Sequence, residues 1–116
     1  MTPLEALWDD QAEWSQRTFG SDAERGPVGP IRHLALECAE VEEAWEQWRE
    51  TSCGGPAMKS MRDNLRTELA DCLLLLMDAS RRAGVNLDTL VAAAIDKHQR
   101  NKARKWPVST GDTHES

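Results

Sequence analysis

The sequence predicts an all-α bundle of about four helices, and three observations carry that expectation. Apolar residues recur at alternating steps of three and four, which puts them on one face of a 3.6-residue helix. Helix-starting and helix-stopping residues cut the chain into four long segments with short connections. No stretch alternates apolar and polar residues with the period of two that a half-buried strand needs, and there is no internal repeat.

Thr2 followed by Pro3 is a helix start, an N-cap and then a first-turn proline. Leu4, Leu7, Trp8, Gln11, Trp14 and Thr18 then trace one side of a helix to about Phe19. Gly20 through Pro30 holds three glycines and two prolines and reads as a loop, from which Pro30 restarts the chain. Ile31, Leu34, Cys38, Val41, Trp45 and Trp48 form a core stripe on the second helix, which ends near Glu50 before TSCGGP. The third helix runs from about Ala57 to Ala83, closed by Gly84. Its segment Leu73 to Met77 is apolar on every side, which implies burial between neighbouring helices or between subunits. Asn86 or Asp88 caps a fourth helix, with Leu87, Leu90, Val91, Ala94, Ile95 and His98 inward and Pro107 as its stop. Residues 1–107 therefore form a single helical domain, and 108–116 a flexible polar tail with nothing to bury.

With 116 residues there is one modest core, so any substrate pocket is shallow unless subunits share it. No run of 18 apolar residues is present and the acidic N-terminus lacks a signal-peptide core, so the expected setting is the cytoplasm, without membrane. Cys38, Cys53 and Cys72 suit neither a disulfide framework nor a paired zinc site, and Cys38 and Cys72 read as small core residues. The net charge is −6, yet residues 96–106 carry five cations against Asp96, leaving −10 on the rest. An acidic body with a basic terminal helix does not suit duplex DNA. It suits an anion docked through metal ions at one end and Lys or Arg at the other.

Two acid pairs stand out: Glu37 with Glu40 on the second helix, and Glu68 with Asp71 on the third. At this spacing both side chains of a pair leave one helical face. Antiparallel packing of the two helices then brings four carboxylates together as an oxygen cage for a hard divalent cation. Spacing alone decides little. Asp10/Glu13, Glu40/Glu43, Glu43/Glu46 and Asp112/Glu115 share it, and about three such pairs arise by chance at this acid content. Context separates Glu68 and Asp71, which lead into LADCLLLLM, the most apolar run of the chain. Burying uncompensated carboxylates there is costly, and a cation is the natural compensation.

The ExxE of Glu37 to Glu40, then 27 residues, then the ExxD of Glu68 to Asp71, resembles the motif of the MazG-type all-α nucleoside triphosphate pyrophosphohydrolases. TFG at 18–20, RGPVGPIRHLALE at 25–37, RRAG at 81–84 and KHQRNKARKW at 97–106 resemble the small, often phage-encoded branch acting on purine deoxynucleotides, MazZ-like enzymes among them. The resemblance covers about residues 8 to 107. It implies a four-helix MazG-like bundle that cleaves a (d)NTP, dGTP or dATP, to (d)NMP and pyrophosphate. It also implies that Glu37, Glu40, Glu68 and Asp71 are the catalytic metal ligands, for two or more Mg²⁺ or Mn²⁺ ions per site. A dimer or a dimer of dimers, a homotetramer, is expected, and the host cytoplasm where the chain is phage-encoded.

Lys97, Asn101 and Arg104 share one face of the fourth helix and read as phosphate and sugar contacts, or as a solvated basic helix end. His33, one turn before Glu37, can reach base or phosphate, or serve as a surface or core histidine. Of the tryptophans, Trp14 and Trp106 are candidate platforms for a purine, while Trp45 and Trp48 read as packing residues. Asp78, two turns beyond Asp71, is either a support for the metal ligands, an intersubunit partner, or a paired bundle aspartate. No Ser, Cys or His spacing suggests covalent catalysis, and Gly54 and Gly55 lack the Lys-Ser/Thr of a phosphate loop. The open alternatives are a pyrophosphohydrolase of another nucleotide such as phosphoribosyl-ATP, a non-catalytic acidic interaction module, and a nucleic-acid binder using the basic helix.

Overall fold

The computed structural model describes residues 1–50 and 56–105, and among these every regular element is a helix. Helix α1 spans Pro3–Phe19, α2 Asp22–Arg25, α3 Val28–Glu50, α4 Pro56–Arg82 and α5 Leu87–Ala103. The four expected long helices are present, with the short α2 added. None of the described helices is long and apolar enough to cross a membrane. Trp106, Pro107, the tail and Cys53 lie outside the described residues.

The start of α1 follows from its first residues. Thr2 Oγ1 accepts from the Glu5 amide at 3.1 Å and the Glu5 carboxylate accepts from the Thr2 amide at 3.3 Å, a reciprocal capping box. Gly20 ends the helix at φ 108°, a conformation that disfavours side chains. The stretch expected as a loop then folds as α2, with Ser21 as its N-cap and Gly26 (φ 64°) as its stop. A four-residue helix carries no periodicity, which is why the stretch read only as a loop in the sequence. Helix α3 begins two residues before Pro30, which is itself buried in the first turn. At the far end of α4, Val85 donates to the Ser80 carbonyl at 2.9 Å around Gly84 (φ 83°), and Asn86 caps α5 by accepting from Thr89 at 2.9 Å.

Helices α3 and α4 form the main antiparallel pair. Gly29 lies beside Arg82, Glu37 and Glu40 near Glu68, and Trp48 against Met58. Helices α1 and α2 rest on the C-terminal half of α4, where Gln11 Nε2 donates to the Leu74 carbonyl at 2.9 Å and Arg81 reaches Asp22. Helix α5 touches α4 over a short stretch. Among the described residues the core is small: Trp8, Pro30, Ala44, Met77 at 2% exposure and Ala79, together with Ser15.

The helix faces depart from expectation. On α3 the inner side runs through Leu34, Glu37, Val41, Ala44 and Trp48, while Ile31, Cys38 and Trp45 are exposed. Small Ala44 and the turn of Glu37 toward α4 replace the purely apolar stripe. On α1 the buried line is Trp8 to Ser15, and Leu4, Leu7, Trp14 and Thr18 are open. On α5 Val91, Ala94, Ile95 and His98 are exposed, whereas Leu87, Leu90, Lys97 and Asn101 are half-buried.

Much apolar surface is left uncovered in one subunit. Leu36 is 68% exposed, and Leu69, Leu73 and Leu76 form an open stripe on α4.

Candidate metal centre

The antiparallel register of α3 and α4 sets Glu37 and Glu40 against Glu68. One carboxylate oxygen from each lies within 4.8 Å of the other two. The Glu37 side chain is only 12% exposed, and Glu37 Oε2 and Glu68 Oε2 are buried without a hydrogen-bond partner. A shared hydrogen bond with Glu37, then burial, then the negative charges of Glu37 and Glu40 push the Glu68 carboxyl up to about 7. Three carboxylates this close repel one another unless a proton or a cation lies among them. An all-oxygen donor set with orphaned buried atoms fits a hard divalent cation, and the residues present suit Mg²⁺ or Mn²⁺.

The fourth expected acid, Asp71, is not among these three. It is half-buried one turn along α4 and joins Glu37 in the wall of a cavity of about 420 Å³. That cavity is enclosed by Gln11, Trp14 and Phe19 of α1 on one side and by Leu74, Leu75 and Asp78 of α4 on the other. His33 completes its mouth, with Nε2 at 3.4 Å from Glu37 Oε1. Trp14 and Phe19 meet edge to face, with ring centroids 5.4 Å apart and planes at 89°. On the opposite side of the acids a polar cavity of about 260 Å³ lies among Glu40, Glu43, Gln47, Asn64 and Glu68.

Of the three readings left open for Asp78, the structure shows the paired bundle aspartate. It lines the larger cavity and is held by two guanidinium groups, Arg81 through Oδ1 and Arg82 through Oδ2 at 3.3 Å. Arg81 also donates through Nε to Asp22 Oδ2 at 3.0 Å and through NH1 to Gln11 Oε1 at 3.3 Å. Arg25 extends the network, donating to Ser15 Oγ at 2.9 Å and to the Gly20 carbonyl at 3.1 Å, and stands 5.8 Å from the Phe19 ring centroid. One buried ionic network thus locks α1, α2 and α4 behind the cavity.

The structure separates other candidates from the acids. Lys97 and Asn101 lie on the half-buried face of α5, and Arg104 at its end, but no residue of α5 lines either cavity. Trp45 and Trp48 pack on each other at 4.9 Å, and Trp48 Nε1 donates to Met58 Sδ, a packing role away from both cavities. Trp106 lies outside the described residues. Burial and the neighbouring Cys38 push the Cys72 thiol up. Gln11, Phe19 and the Leu74–Leu75 step were not recognised as site residues in the sequence. The TFG motif at 18–20 was the available signal, since it places an aromatic ring at the end of α1.

A relative, the Eaa protein of Salmonella phage P22, is 37% identical over 103 residues, covering 89% of this chain. The chain spans about a quarter, 26%, of that protein's length. No solved structure matches significantly. The profile of the dATP/dGTP pyrophosphohydrolases matches residues 7–53 and 60–115, which include all four acids, both walls of the larger cavity and the whole of α5. The chain belongs to the dATP/dGTP pyrophosphohydrolase family.

Proposed function

We propose that this protein is a metal-dependent, MazG-like pyrophosphohydrolase that cleaves a purine dNTP between its α and β phosphorus atoms. The observation that carries the reading is the trio Glu37, Glu40 and Glu68, whose oxygens converge within 4.8 Å and whose buried Oε2 atoms on Glu37 and Glu68 lack partners, beside a cavity of about 420 Å³. Magnesium or manganese held there would supply charge neutralisation of the phosphates and a water of lowered pKa. A water oxygen would bond to the α-phosphorus, its proton passing through one of the acids to solvent, as the bond to the bridging oxygen breaks and pyrophosphate leaves with that electron pair.

The chain's own groups divide the remaining work. Glu37, Glu40 and Glu68 hold the cation, and a rotamer change of half-buried Asp71 brings in the fourth carboxylate. His33, 3.4 Å from Glu37, fixes that carboxylate and faces the incoming phosphates at the cavity mouth. Lys97, Asn101 and Arg104 contact the phosphates and sugar, and they do so from a second subunit, since α5 lines neither of the two cavities beside the acids in its own chain. The open Leu69–Leu73–Leu76 stripe supports a homodimer or a dimer of such dimers.

The test is incubation of the protein with eight (d)NTPs and Mg²⁺ or Mn²⁺, followed by separation of products. Monophosphate plus pyrophosphate, fastest with a purine deoxynucleotide, is the expected result. Diphosphate plus orthophosphate, or no metal-dependent turnover with any nucleotide, rejects the reading.

A further inference from the structure

We infer that the cavity between α1 and α4 receives the nucleobase and that Gln11 and Asp78, held side by side on the fork of Arg81, select guanine over adenine. The inference rests on the proposed dNTP pyrophosphohydrolase activity, because Glu37 and Asp71 belong to the cavity wall and connect it to the acid trio.

The cavity has the makings of a base site. Its volume of about 420 Å³ falls in the range of small-ligand pockets, and its lining is mostly apolar with a few fixed polar groups. Trp14 and Phe19 line it from α1, and Leu74 and Leu75 from α4, so aromatic and aliphatic surface is present on both sides for a flat heterocycle to pack against. The second cavity, walled by Glu40, Glu43, Gln47, Asn64 and Glu68, has no aromatic ring and no such slot.

Selectivity follows from which hydrogen-bonding capacity remains at the polar wall. Arg81 donates to Gln11 Oε1 through NH1 and to Asp78 Oδ1 through NH2, so the amide and the carboxylate sit on neighbouring nitrogens of one rigid guanidinium. The Gln11 amide is oriented by a second bond, Nε2 to the Leu74 carbonyl, which leaves it one N–H to give. Asp78 has both oxygens engaged by arginines, yet each retains a lone pair, and as a carboxylate it only accepts. The wall thus presents one donor beside an acceptor. Guanine presents the complement on its Watson–Crick edge: an O6 acceptor beside N1–H and N2–H donors. Adenine reverses the pattern at positions 6 and 1, setting an amino group against the Gln11 N–H and a lone pair against the Asp78 carboxylate. Sites built to hydrogen-bond one group reject the analogue that lacks it far more strongly than apolar pockets reject a change of size.

Substrate analogues on the unmodified protein give the first test, since they leave the Arg81 network intact. With Mg²⁺, kcat/KM is expected to fall from dGTP to dITP, which lacks the 2-amino group, by about tenfold, and to dATP by about 100-fold or more. Asp78→Asn is expected to lower kcat/KM for dGTP by at least about tenfold while changing dATP little, collapsing the ratio between them. Comparable kcat/KM for dGTP and dATP in the wild type, or an equal fall for both in Asp78→Asn, overturns the inference and assigns Asp78 a purely structural role. If no dNTP is cleaved, the proposed activity fails separately. Calorimetry with dGMP and dAMP then decides the pocket: dGMP tighter by about tenfold supports it, and equal or absent binding rejects it.

Discussion

Glu68 and Glu37 face each other across the α3–α4 interface with carboxylate oxygens within 4.8 Å, and Glu40 completes a trio in which Glu68 is pushed up to about 7. The helices are therefore joined at their functional centre by groups that repel unless a proton or a cation lies between them.

Linkage gives the sign of the pH dependence. Glu68 titrates near 4.5 when unfolded and near 7 when folded, so the folded chain holds an extra proton between these values. That contribution to stability is complete below about 4.5 and is lost as pH rises through about 7. A divalent ion does the proton's work above that point. Melting at pH 8 is expected to rise sharply with millimolar Mg²⁺ or Mn²⁺, and much less at pH 5.5, where the ion must displace the proton. A metal-induced shift independent of pH between 5.5 and 8 contradicts this linkage.

Removing a ligand separates folding from turnover. Glu40 is exposed at the edge of the trio, so Glu40→Ala deletes a ligand rather than a packing group. Helical content by circular dichroism is expected to stay unchanged, and the metal-induced rise in Tm to shrink or vanish. Turnover is expected to fall by orders of magnitude, as is also expected for Asp71→Ala. Near-normal activity in either variant shows that the acid is not a ligand.

How much of this was legible in the sequence depends on whether the signal was periodic. The existence and ends of the long helices follow from Thr2, Gly84 and Asn86, whose capping chemistry is local and whose hydrogen bonds the structure contains. The meeting of Glu37 and Glu40 with Glu68 was readable less from the three-residue spacing, which four other acid pairs share, than from the apolar run that Glu68 leads into and the resemblance of the ExxE and ExxD pair to a known motif. The face of α3 was misjudged because a hydrophobic pattern cannot recognise an acid as an inward residue, and Glu37 is one. The network of Arg81, Asp22, Gln11 and Asp78 joins positions up to 70 residues apart with no shared period, so nothing local announced it.

That network makes Arg81 the most vulnerable surface-excluded charge in the fold. Its side chain is 8% exposed and contacts Asp22, Asp78 and Gln11. Arg81→Ala leaves two largely buried carboxylates facing each other with Arg25 and Arg82 as partial compensation. A loss of about 3 kcal/mol is expected, corresponding to a fall in Tm of roughly 10 °C or more. Arg66→Ala is the control: its pair with Asp63 is 74% exposed on the arginine side, and a change within about 0.5 kcal/mol is expected. Equal melting of the two variants shows that the buried network does not hold α1 and α2 on α4.

Leu73 tests whether the exposed apolar stripe is an interface. It stands between Leu69 and Leu76 on one side of α4, and all three are open in the single chain. A glutamate in the middle of a subunit interface buries a charge without a partner, which costs several kcal/mol by general desolvation arguments. Leu73→Glu is therefore expected to sediment at the 13.0 kDa of one chain, where the wild type sediments as a multiple of it. Because the acid trio lies within one subunit and α5 lines neither of the cavities beside it, the monomer is expected to keep its metal-induced rise in Tm at pH 8. It is expected to lose dNTP turnover with a raised KM, since in the proposed assembly the phosphate contacts are supplied by the neighbour. A wild-type chain that is monomeric at micromolar concentration and fully active removes the need for a second subunit, and α5 must then close on its own cavity during binding.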